Sequence, residues 1–399
     1  MTEAPLSGLR VLDFGHTVMG PSAGLILADL GADVIKIEPA PDGDPTRRLR
    51  GFGTGYFGYF NRNKRSVALD LKHPDGLAAA MDLVATADIL IENFGPGTAD
   101  RLGLSYASTS ARNDRLIYAS LKGFLDGPYR DRLALDEVVQ MMAGLAYMTG
   151  PSGRPLRAGT SVIDITGGMF AVIAIQAALR ERERTGRGQL VRSALFESAV
   201  FLMGQHLCYA AQTDGPVPPM PERVSAWAIY ETFSTACGRQ IFVGITSDKH
   251  WHRFCEATGR ADLLADTSLA HNNDRIAARP RLVPQVAAIF AGLTQDEGLA
   301  LCERAAIPFA PVVRPEDLFT DPHLAETGGL LPTTLPNGMR TALPRLPVEM
   351  GGRSFGLYHD PPQAGADTRA VLGALGYPAE RVRAMLDNKA AAATNDEEE

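Results

Sequence analysis

The fold is decided near the start of the chain, where residues 9–38 read LRVLDFGHTVMGPSAGLILADLGADVIKIE. The apolar run Leu9–Phe14 predicts a buried strand, Pro21–Leu30 predicts a helix, and Val34–Glu38 predicts a second strand. Gly31 stands where a helix commonly stops. This stretch therefore predicts a βαβ unit, which requires a parallel sheet.

The same alternation of strand and helix patterns continues over the first 120 residues. It predicts strands at Ser66–Leu71, Ile89–Glu92 and Leu116–Ser120, a helix at His73–Thr86, and buried helices at Asp136–Met148 and Thr166–Arg182. We therefore predict an α/β fold with a doubly wound, Rossmann-like domain.

The composition is that of a globular protein. The chain has 399 residues, 45% of them hydrophobic and 21% charged, with a formal net charge of -7. That charge argues against a protein whose main task is to bind nucleic acid or an anionic membrane surface. The start of the chain lacks the pattern of a signal peptide, and no segment approaches about 18 uninterrupted apolar residues. We predict a cytoplasmic protein that binds anionic ligands only at a local basic site.

Cysteine usage points away from disulfides and metals. Cys208, Cys237, Cys255 and Cys302 are scattered and show no CxxC spacing. We expect reduced, structural cysteines and no metal site.

Proline-rich stretches mark the domain boundaries. Gly215–Met220 reads GPVPPM, a composition typical of a linker. We predict a large domain from residues 1–200 and 347–389, an inserted α+β domain at 223–325, linkers at 201–222 and 326–346, and a disordered tail at 390–399.

The turn after the first strand is a candidate ligand site. Gly15–Pro21 lacks the GxGxxG spacing that brings backbone amides against a dinucleotide pyrophosphate, which argues against nicotinamide binding. His16 lies just past the carboxyl end of the strand, where open α/β sheets form their ligand crevice. It either lines that crevice or is a turn residue satisfied by backbone.

The run Asn61–Arg65 is a dense basic cluster in an acidic protein. Such a run is usually a solvated loop. Together with Lys72, Arg101 and Lys122 it could instead supply the cationic patch that a polyphosphate ligand needs.

Two acids are candidates for catalysis. Asp136 opens a predicted helix, and Asp164 is flanked by Ile163 and Ile165 and followed by Gly167–Gly168. Either acid could simply cap a helix. For Asp164, the apolar flanks and paired glycines favour a partly buried nucleophile beside backbone amides that could bind an oxyanion.

Several segments, taken in order, resemble the class III CoA-transferase family, which includes formyl-CoA, carnitine and dicarboxylate CoA-transferases and is related to the α-methylacyl-CoA racemases. The resemblance rests on GLRVLD (8–13), DLGADVIKIE (29–38), NKRS (63–66), ENFGPG (92–97), SLKG (120–123), the helix at 136–144, TGRGQ (185–189) and DPH (321–323).

The resemblance implies a site and an assembly. It places the family's nucleophile on Asp164 and a supporting acid on Asp136. It implies CoA contacts at His16, Leu69, Lys72, Asn93, Phe94, Arg101 and Lys122. It also implies a large domain built from both chain ends and an interlocked homodimer. CoA would act as a cosubstrate, with no permanently bound cofactor.

The implied reaction passes through covalent intermediates on Asp164. Attack on an acyl-CoA gives a mixed anhydride and then an aspartyl-CoA thioester, from which the acceptor acid recovers CoA. We expect succinyl-CoA as donor and a small dicarboxylate as acceptor. Arg157 either contacts the distal carboxylate or is a structural residue.

Two alternatives stay open, racemisation of a 2-methylacyl-CoA and CoA binding without catalysis. The racemase branch carries a histidine where this chain has Leu135, so a second proton-transfer group is missing from the pattern. Val18 stands where formyl-CoA transferases carry glutamine, and their glycine-rich loop is not found near Val224–Ala228. These departures argue against formate or oxalate as substrate.

Overall fold

The computed structural model describes residues 4–223 and 225–394. It divides into two compact units, one formed by the residues up to Pro221 together with those from Glu326 onward, and one formed by Glu222–Ala325.

The strands, in chain order, are β1 (Arg10–Asp13), β2 (Asp33–Pro39), β3 (Lys64–Leu69), β4 (Ile89–Glu92), β5 (Ile117–Lys122), β6 (Leu190–Ala194), β7 (Ile229–Ser234), β8 (Gln240–Ile245), β9 (Phe309–Pro311), β10 (Leu330–Thr334), β11 (Arg340–Pro344), β12 (Glu349–Met350), β13 (Arg353–Ser354) and β14 (Ala391–Ala392).

The helices are α1 (Met19–Asp29), α2 (Thr54–Phe60), α3 (Pro74–Val84), α4 (Thr98–Arg101), α5 (Tyr106–Arg112), α6 (Asp136–Met142), α7 (Leu145–Thr149), α8 (Val162–Thr185), α9 (Leu195–Leu202), α10 (Gly204–Ala210), α11 (Asp248–Ala257), α12 (Ala261–Ala265), α13 (Asn272–Ala277), α14 (Arg279–Ala291), α15 (Gln295–Arg304), α16 (Pro322–Thr327), α17 (Thr368–Ala374) and α18 (Ala379–Asp387).

A seven-stranded sheet organises the large unit, in the order β14-β3-β2-β1-β4-β5-β6. The six strands β1 to β6 are parallel, and β14 pairs antiparallel with β3. This confirms the predicted α/β fold. The strand order reverses between β1 and β4. In open α/β sheets, the ligand crevice lies at the carboxyl ends of the strands near such a reversal.

Apolar side chains alternate along each strand and bury both faces of this sheet. Val11 and Ile89 belong to one core cluster, which α1 and α8 cover. Leu12 and Leu90 belong to the other, which α3, α17 and α18 cover. Because α17 and α18 come from the end of the chain, the two ends of the sequence share one core.

Helix α8 is the longest helix of the described residues, and by length and composition it could cross a membrane. In this fold it is a core helix, since Ile163, Ala171 and Ile175 are buried against the sheet and α1. A Cβ atom at Gly168 would lie 2.1 Å from Ser22 Oγ, so glycine is what lets α8 and α1 approach this closely.

The small unit has its own core. Strands β7, β8 and β9 form an antiparallel sheet, and Trp251, Phe254 and Phe290 pack beneath it. Cys255 and Cys302 are buried in that core. Cys208 and Cys237 are exposed, and each of the four cysteines is free.

Several predicted boundaries are wrong. The single helix expected at Asp136–Met148 breaks into α6 and α7, because Gly144 adopts a left-handed φ of +85° between them. The linker expected at 201–222 contains α10, and the one expected at 326–346 contains the β10–β11 hairpin.

The chain end is also ordered further than expected. Residues 390–394 were predicted to be disordered, but Ala390 and Ala391 are buried and β14 pairs with β3. Residues 395–399 of that predicted tail lie outside the described residues.

Candidate active site

Asp136 and Asp164 meet at the start of α8. The Asp136 side chain is 5% exposed, and its Oδ2 accepts hydrogen bonds from the backbone N–H of Ile163 at 2.7 Å and of Asp164 at 3.0 Å. Asp136 therefore supplies the cap of α8, where the N-cap residue Ser161 makes no side-chain cap bond within the described structure. Asp136 is therefore a capping residue, but it lies in α6 and caps α8.

The Asp164 carboxyl is half-buried in the first turn of α8. Burial raises its pKa to about 7, and the negative charge of Asp136 adds to that shift. Asp164 does not cap α8, because that position belongs to Ser161. A carboxyl with this pKa exists partly as the carboxylate, the nucleophilic form, at neutral pH.

Gln140 completes the arrangement and was missed by the sequence analysis. Its Nε2 donates to Asp136 Oδ1, and its Oε1 accepts from the backbone N–H of Ala158 at 2.8 Å. Gln140 is fully buried, four residues after Asp136 on the same face of α6. That spacing is the signal that could have identified it.

The oxyanion site expected at Gly167–Gly168 is wrong. Both residues lie beyond the first turn of α8, where backbone amides bond to carbonyls four residues earlier. The amides of Ile163 and Asp164 bind Asp136, and the amide of Ile165 binds the carbonyl of Ser161. The glycines instead make room for α1, since a Cβ at Gly167 would lie 2.6 Å from Met19 Cε.

Arg157 lies on the loop between α7 and α8 and pairs with Glu137 of α6. Its guanidinium Nη1 is 2.9 Å from Glu137 Oε1, and both side chains remain partly exposed. The backbone on either side of Arg157 is fixed, because the N–H of Leu156 bonds to the carbonyl of Ala146 and the N–H of Ala158 bonds to Gln140. Arg157 is thus a partly exposed cation on a fixed loop, paired with the residue that follows Asp136 in the sequence.

A cavity of about 430 Å³ opens at the carboxyl ends of β1, β2 and β3, next to the point where the strand order reverses. It brings together four of the residues that the resemblance places at CoA, which are His16, Leu69, Lys72 and Phe94. Further lining residues, which no sequence motif indicated, come from the ends of the strands and the loops after them, among them Phe14, Gly15, Ile37, Pro39 and Asp44.

The other three expected CoA residues lie outside the lining of this cavity. Asn93 joins the loops after β1 and β4, because its Oδ1 accepts from the N–H of His16 at 2.8 Å and its Nδ2 donates to the carbonyl of His16 at 2.9 Å. Lys122 Nζ bonds to Glu92 at 2.7 Å and to the carbonyl of Phe94 at 2.8 Å. Arg101 is exposed on the short helix α4. Asn93 and Lys122 thus shape the loops around the cavity.

The His16 ring faces solvent yet is partly desolvated by the crevice, which lowers its pKa. Its Nδ1 is 2.9 Å from Thr17 Oγ1. His16 is therefore mainly neutral at physiological pH and can offer a ring nitrogen to a ligand as donor or acceptor.

The basic run Asn61–Arg65 is neither a solvated loop nor a phosphate patch. Arg62 pairs with Asp29 at 2.7 Å and Lys64 pairs with Asp13 at 2.7 Å, all four side chains being buried. Buried cations need such partners, so their charge is already satisfied within the fold.

The chain is similar to known proteins along nearly its whole length. A sequence model described as CoA-transferase family III matches residues 6–368. A succinate–glutarate CoA-transferase from Agrobacterium fabrum is 34% identical, the match covering 94% of this chain and 96% of that protein. A succinyl-CoA–L-malate CoA-transferase alpha subunit from Chloroflexus aurantiacus is also 34% identical, and that match covers 97% of this chain and 92% of that protein. The crystal structure of a CAIB/BAIF family protein from Brucella suis superposes with a TM-score of 0.83 at 31% identity, covering 94% of this chain and all of that one.

Proposed function

The chain belongs to CoA-transferase family III and is a CoA-transferase, and we propose that Asp164 is the covalent nucleophile with which it moves CoA from an acyl-CoA donor to a carboxylic acid. One observation carries this proposal. The Asp164 carboxyl is half-buried, its pKa is raised to about 7, and its backbone is fixed by the Asp136 carboxylate.

The proposed reaction has four balanced steps. The Asp164 carboxylate attacks the donor thioester carbonyl, forming an acyl-aspartyl anhydride and releasing the CoA thiolate. The thiolate attacks the aspartyl carbonyl, giving an aspartyl-CoA thioester and the free donor acid. The acceptor carboxylate then attacks this thioester, forming a new anhydride and releasing the thiolate. Attack of the thiolate on the acceptor acyl carbonyl yields the new acyl-CoA and restores Asp164.

Each step places negative charge on a carbonyl oxygen, so the site needs hydrogen-bond donors. We place them at the start of α1 rather than on α8. Within the described residues, α1 begins at Met19 without a capping side chain and without an acid in its first turn. The Met19 side chain reaches Gly167 of α8, one turn from Asp164. We therefore propose that the positive end of the α1 dipole faces the oxyanion that forms at Asp164.

The direct test compares wild type with Asp164→Ala in CoA transfer from succinyl-CoA to a dicarboxylate. We expect transfer to fall by at least roughly 10³-fold, because the covalent route is lost. Affinity for free CoA should stay unchanged, since the cavity that would hold CoA does not include Asp164. An Asp164→Ala protein that retains substantial activity would refute the proposed nucleophile.

For the acyl group we propose a small dicarboxylate, with succinyl-CoA as donor. The names of the Agrobacterium and Chloroflexus relatives support this choice. The chain's own support is Arg157, a partly exposed cation paired with Glu137, on a loop whose next residue, Ala158, bonds to the Gln140 side chain that holds Asp136. A substrate carboxylate would exchange with Glu137 for the guanidinium.

An acceptor panel tests this specificity. We expect Arg157→Gln to raise the KM for dicarboxylate acceptors by roughly tenfold or more, because the variant loses one charge-assisted hydrogen bond to the substrate. The KM for monocarboxylates of equal length should change little. Glu137→Gln is the matched control, because it frees Arg157 and should not weaken dicarboxylate binding. Equal losses with both acceptor classes would argue against a carboxylate contact at Arg157.

We also propose a homodimer. Large apolar side chains are exposed on α8 and the helices next to it, with Ile173 62% and Phe201 70% exposed. Contiguous apolar surface of this kind is typical of a subunit interface. Light scattering after gel filtration should give a dimer for wild type and for Arg180→Glu, and a monomer for Ile173→Glu. A monomeric wild type would contradict this assembly.

A further inference from the structure

Lys36 is a buried lysine in the middle of the large unit, and the reaction proposed above does not use it. It lies between Ile35 and Ile37 on β2, an interior strand of the sheet, and its side chain is 1% exposed. Removing an ammonium group from water is costly unless it is paired and hydrogen-bonded. The contacts of this group therefore indicate what it does for the fold.

The ammonium of Lys36 joins two separate loops. Its Nζ donates to the carbonyl of Gly15 at 2.6 Å and lies 3.0 Å from Asp44 Oδ2. Gly15 belongs to the loop after β1, and Asp44 belongs to the loop after β2. Both residues line the 430 Å³ cavity.

Each of these loops is rigid where Lys36 holds it. On the β1 side, the N–H of Gly15 donates to Asp13 Oδ1 at 2.8 Å, and a Cβ at Gly15 would lie 2.8 Å from the Cα of Gly20. On the β2 side, Asp44 Oδ1 accepts from the N–H and the hydroxyl of Thr46 at 2.8 and 2.7 Å. A bond from Lys36 to both loops thus fixes one wall of the cavity relative to the other.

We infer that Lys36 is a positioning residue of the CoA pocket, which sets the spacing between the wall that carries His16 and the wall that carries Asp44. This inference rests on the proposed function, because it takes CoA as the occupant of the cavity. Lys36 acts through Gly15 and Asp44 and does not line the cavity itself. Its removal should therefore weaken CoA binding and leave the chemistry at Asp164 intact.

The test is Lys36→Met, which keeps most of the side-chain volume and removes both polar contacts. We expect the Kd for CoA and the KM for acyl-CoA to rise between about 10- and 100-fold, as small displacements of binding groups do. The kcat at saturating acyl-CoA should change by less than about threefold, because bound substrate still meets an unaltered Asp164.

Arg62→Met is the matched control. Arg62 is equally buried at 1% exposed, and its partner is the buried Asp29, but it touches neither cavity loop. It should lower the melting temperature without changing the KM for acyl-CoA. A Lys36→Met protein whose KM rises no more than that of Arg62→Met, or whose kcat falls while KM stays constant, would overturn the inference.

Two further variants keep the test decisive. If Lys36→Met fails to fold, Asp44→Asn replaces it in the test. This substitution weakens the contact between Lys36 and Asp44, while the remaining side-chain oxygen can still accept from Thr46. The KM of this variant for acyl-CoA should also rise. Phe94→Ala tests the pocket itself, since Phe94 lines the cavity. Unchanged CoA affinity in Phe94→Ala would count against the proposed CoA site. Weaker CoA binding by Phe94→Ala, together with normal CoA affinity in the Lys36 and Asp44 variants, would refute only the role of Lys36.

Discussion

The side chain of Asp164 owes its character to two neighbours, the apolar packing around it and the charge of Asp136. Burial is the larger cause of its raised pKa and Asp136 the smaller. A buried carboxyl that ionises near neutrality combines a usable fraction of carboxylate with weak solvation, which favours attack on a thioester.

The pH dependence of the reaction follows from this shift. Only the ionised carboxyl attacks, so kcat/KM for the donor should rise with pH and reach half its maximum near pH 7, the raised pKa of Asp164. Asp136→Asn removes a nearby negative charge and should move this midpoint to lower pH. Initial rates measured between about pH 5.5 and pH 8.5 check both expectations. A flat wild-type profile, or a midpoint that rises in Asp136→Asn, would contradict this origin of the shift.

The sequence identified Asp164 and Asp136 because acids among apolar residues and glycines are unusual, and because the family resemblance aligned them. It did not identify Gln140 or Lys36. Glutamine on a helix and lysine on a strand are ordinary in sequence, and their roles depend on Ala158, Gly15 and Asp44, which only the folded chain brings near. The interior lysine of the run DVIKIE was nevertheless a visible anomaly, since a buried strand rarely holds an unpaired charge.

The packing of α1 on α8 positions the candidate site. The loop that contains His16 leads into α1, and Asp164 lies in the first turn of α8. The contact depends on glycine at position 168. We expect Gly168→Ala to destabilise the protein by about 2 kcal/mol or more through overpacking, since its Cβ would meet Ser22 Oγ at 2.1 Å and the carbonyl of Met19 at 2.9 Å.

Gly373 of α17 is the matched control for this substitution. Among the described residues, no atom outside its own stretch of helix backbone lies within 4 Å of a Cβ built there. Gly373→Ala should therefore stabilise the protein by up to about 1 kcal/mol, the difference in helix propensity. Urea unfolding of both variants gives the comparison. A Gly168→Ala protein as stable as wild type would show that the two helices can separate at no cost.

Elements with strong local patterns were predicted well. The pattern located β1, β2, β4 and α1 within a few residues, because their apolar runs are bounded by glycine and turn residues. It missed β6, whose burial is uneven, and β14, which has only two alanines. The register of β14 is set by its partner β3 rather than by its own sequence.

The C-terminal segment contacts the loop after β3 beside the candidate CoA cavity. The carbonyl of Ala390 accepts from the N–H of Asp70 at 2.9 Å, and Asp70 Oδ1 accepts from the N–H of Lys72 at 2.9 Å. Asp70 and Lys72 both line the cavity. This long-range contact is invisible in sequence, which is why the tail was expected to be disordered from residue 390.

Truncation tests the importance of this contact. Removing residues 389–399 deletes β14, exposes the edge of β3 and frees Asp70, so we expect a lower melting temperature and a higher KM for acyl-CoA. Removing only residues 395–399 keeps β14 and should change neither value. Thermal denaturation and steady-state kinetics on the two truncated proteins measure both quantities. Equal melting temperatures and equal KM values in the two proteins would mean that the chain end does not support the cavity.

Covalent chemistry at Asp164 is the central claim about this protein. The most direct measurement incubates the protein with succinyl-CoA, quenches with hydroxylamine, and maps the modified residue by peptide mass spectrometry. Hydroxylamine converts an aspartyl anhydride or thioester to a hydroxamate, so we expect the modification on Asp164, only when donor is present, and none in Asp164→Ala. An unmodified Asp164 in a preparation that is actively transferring CoA would contradict the account.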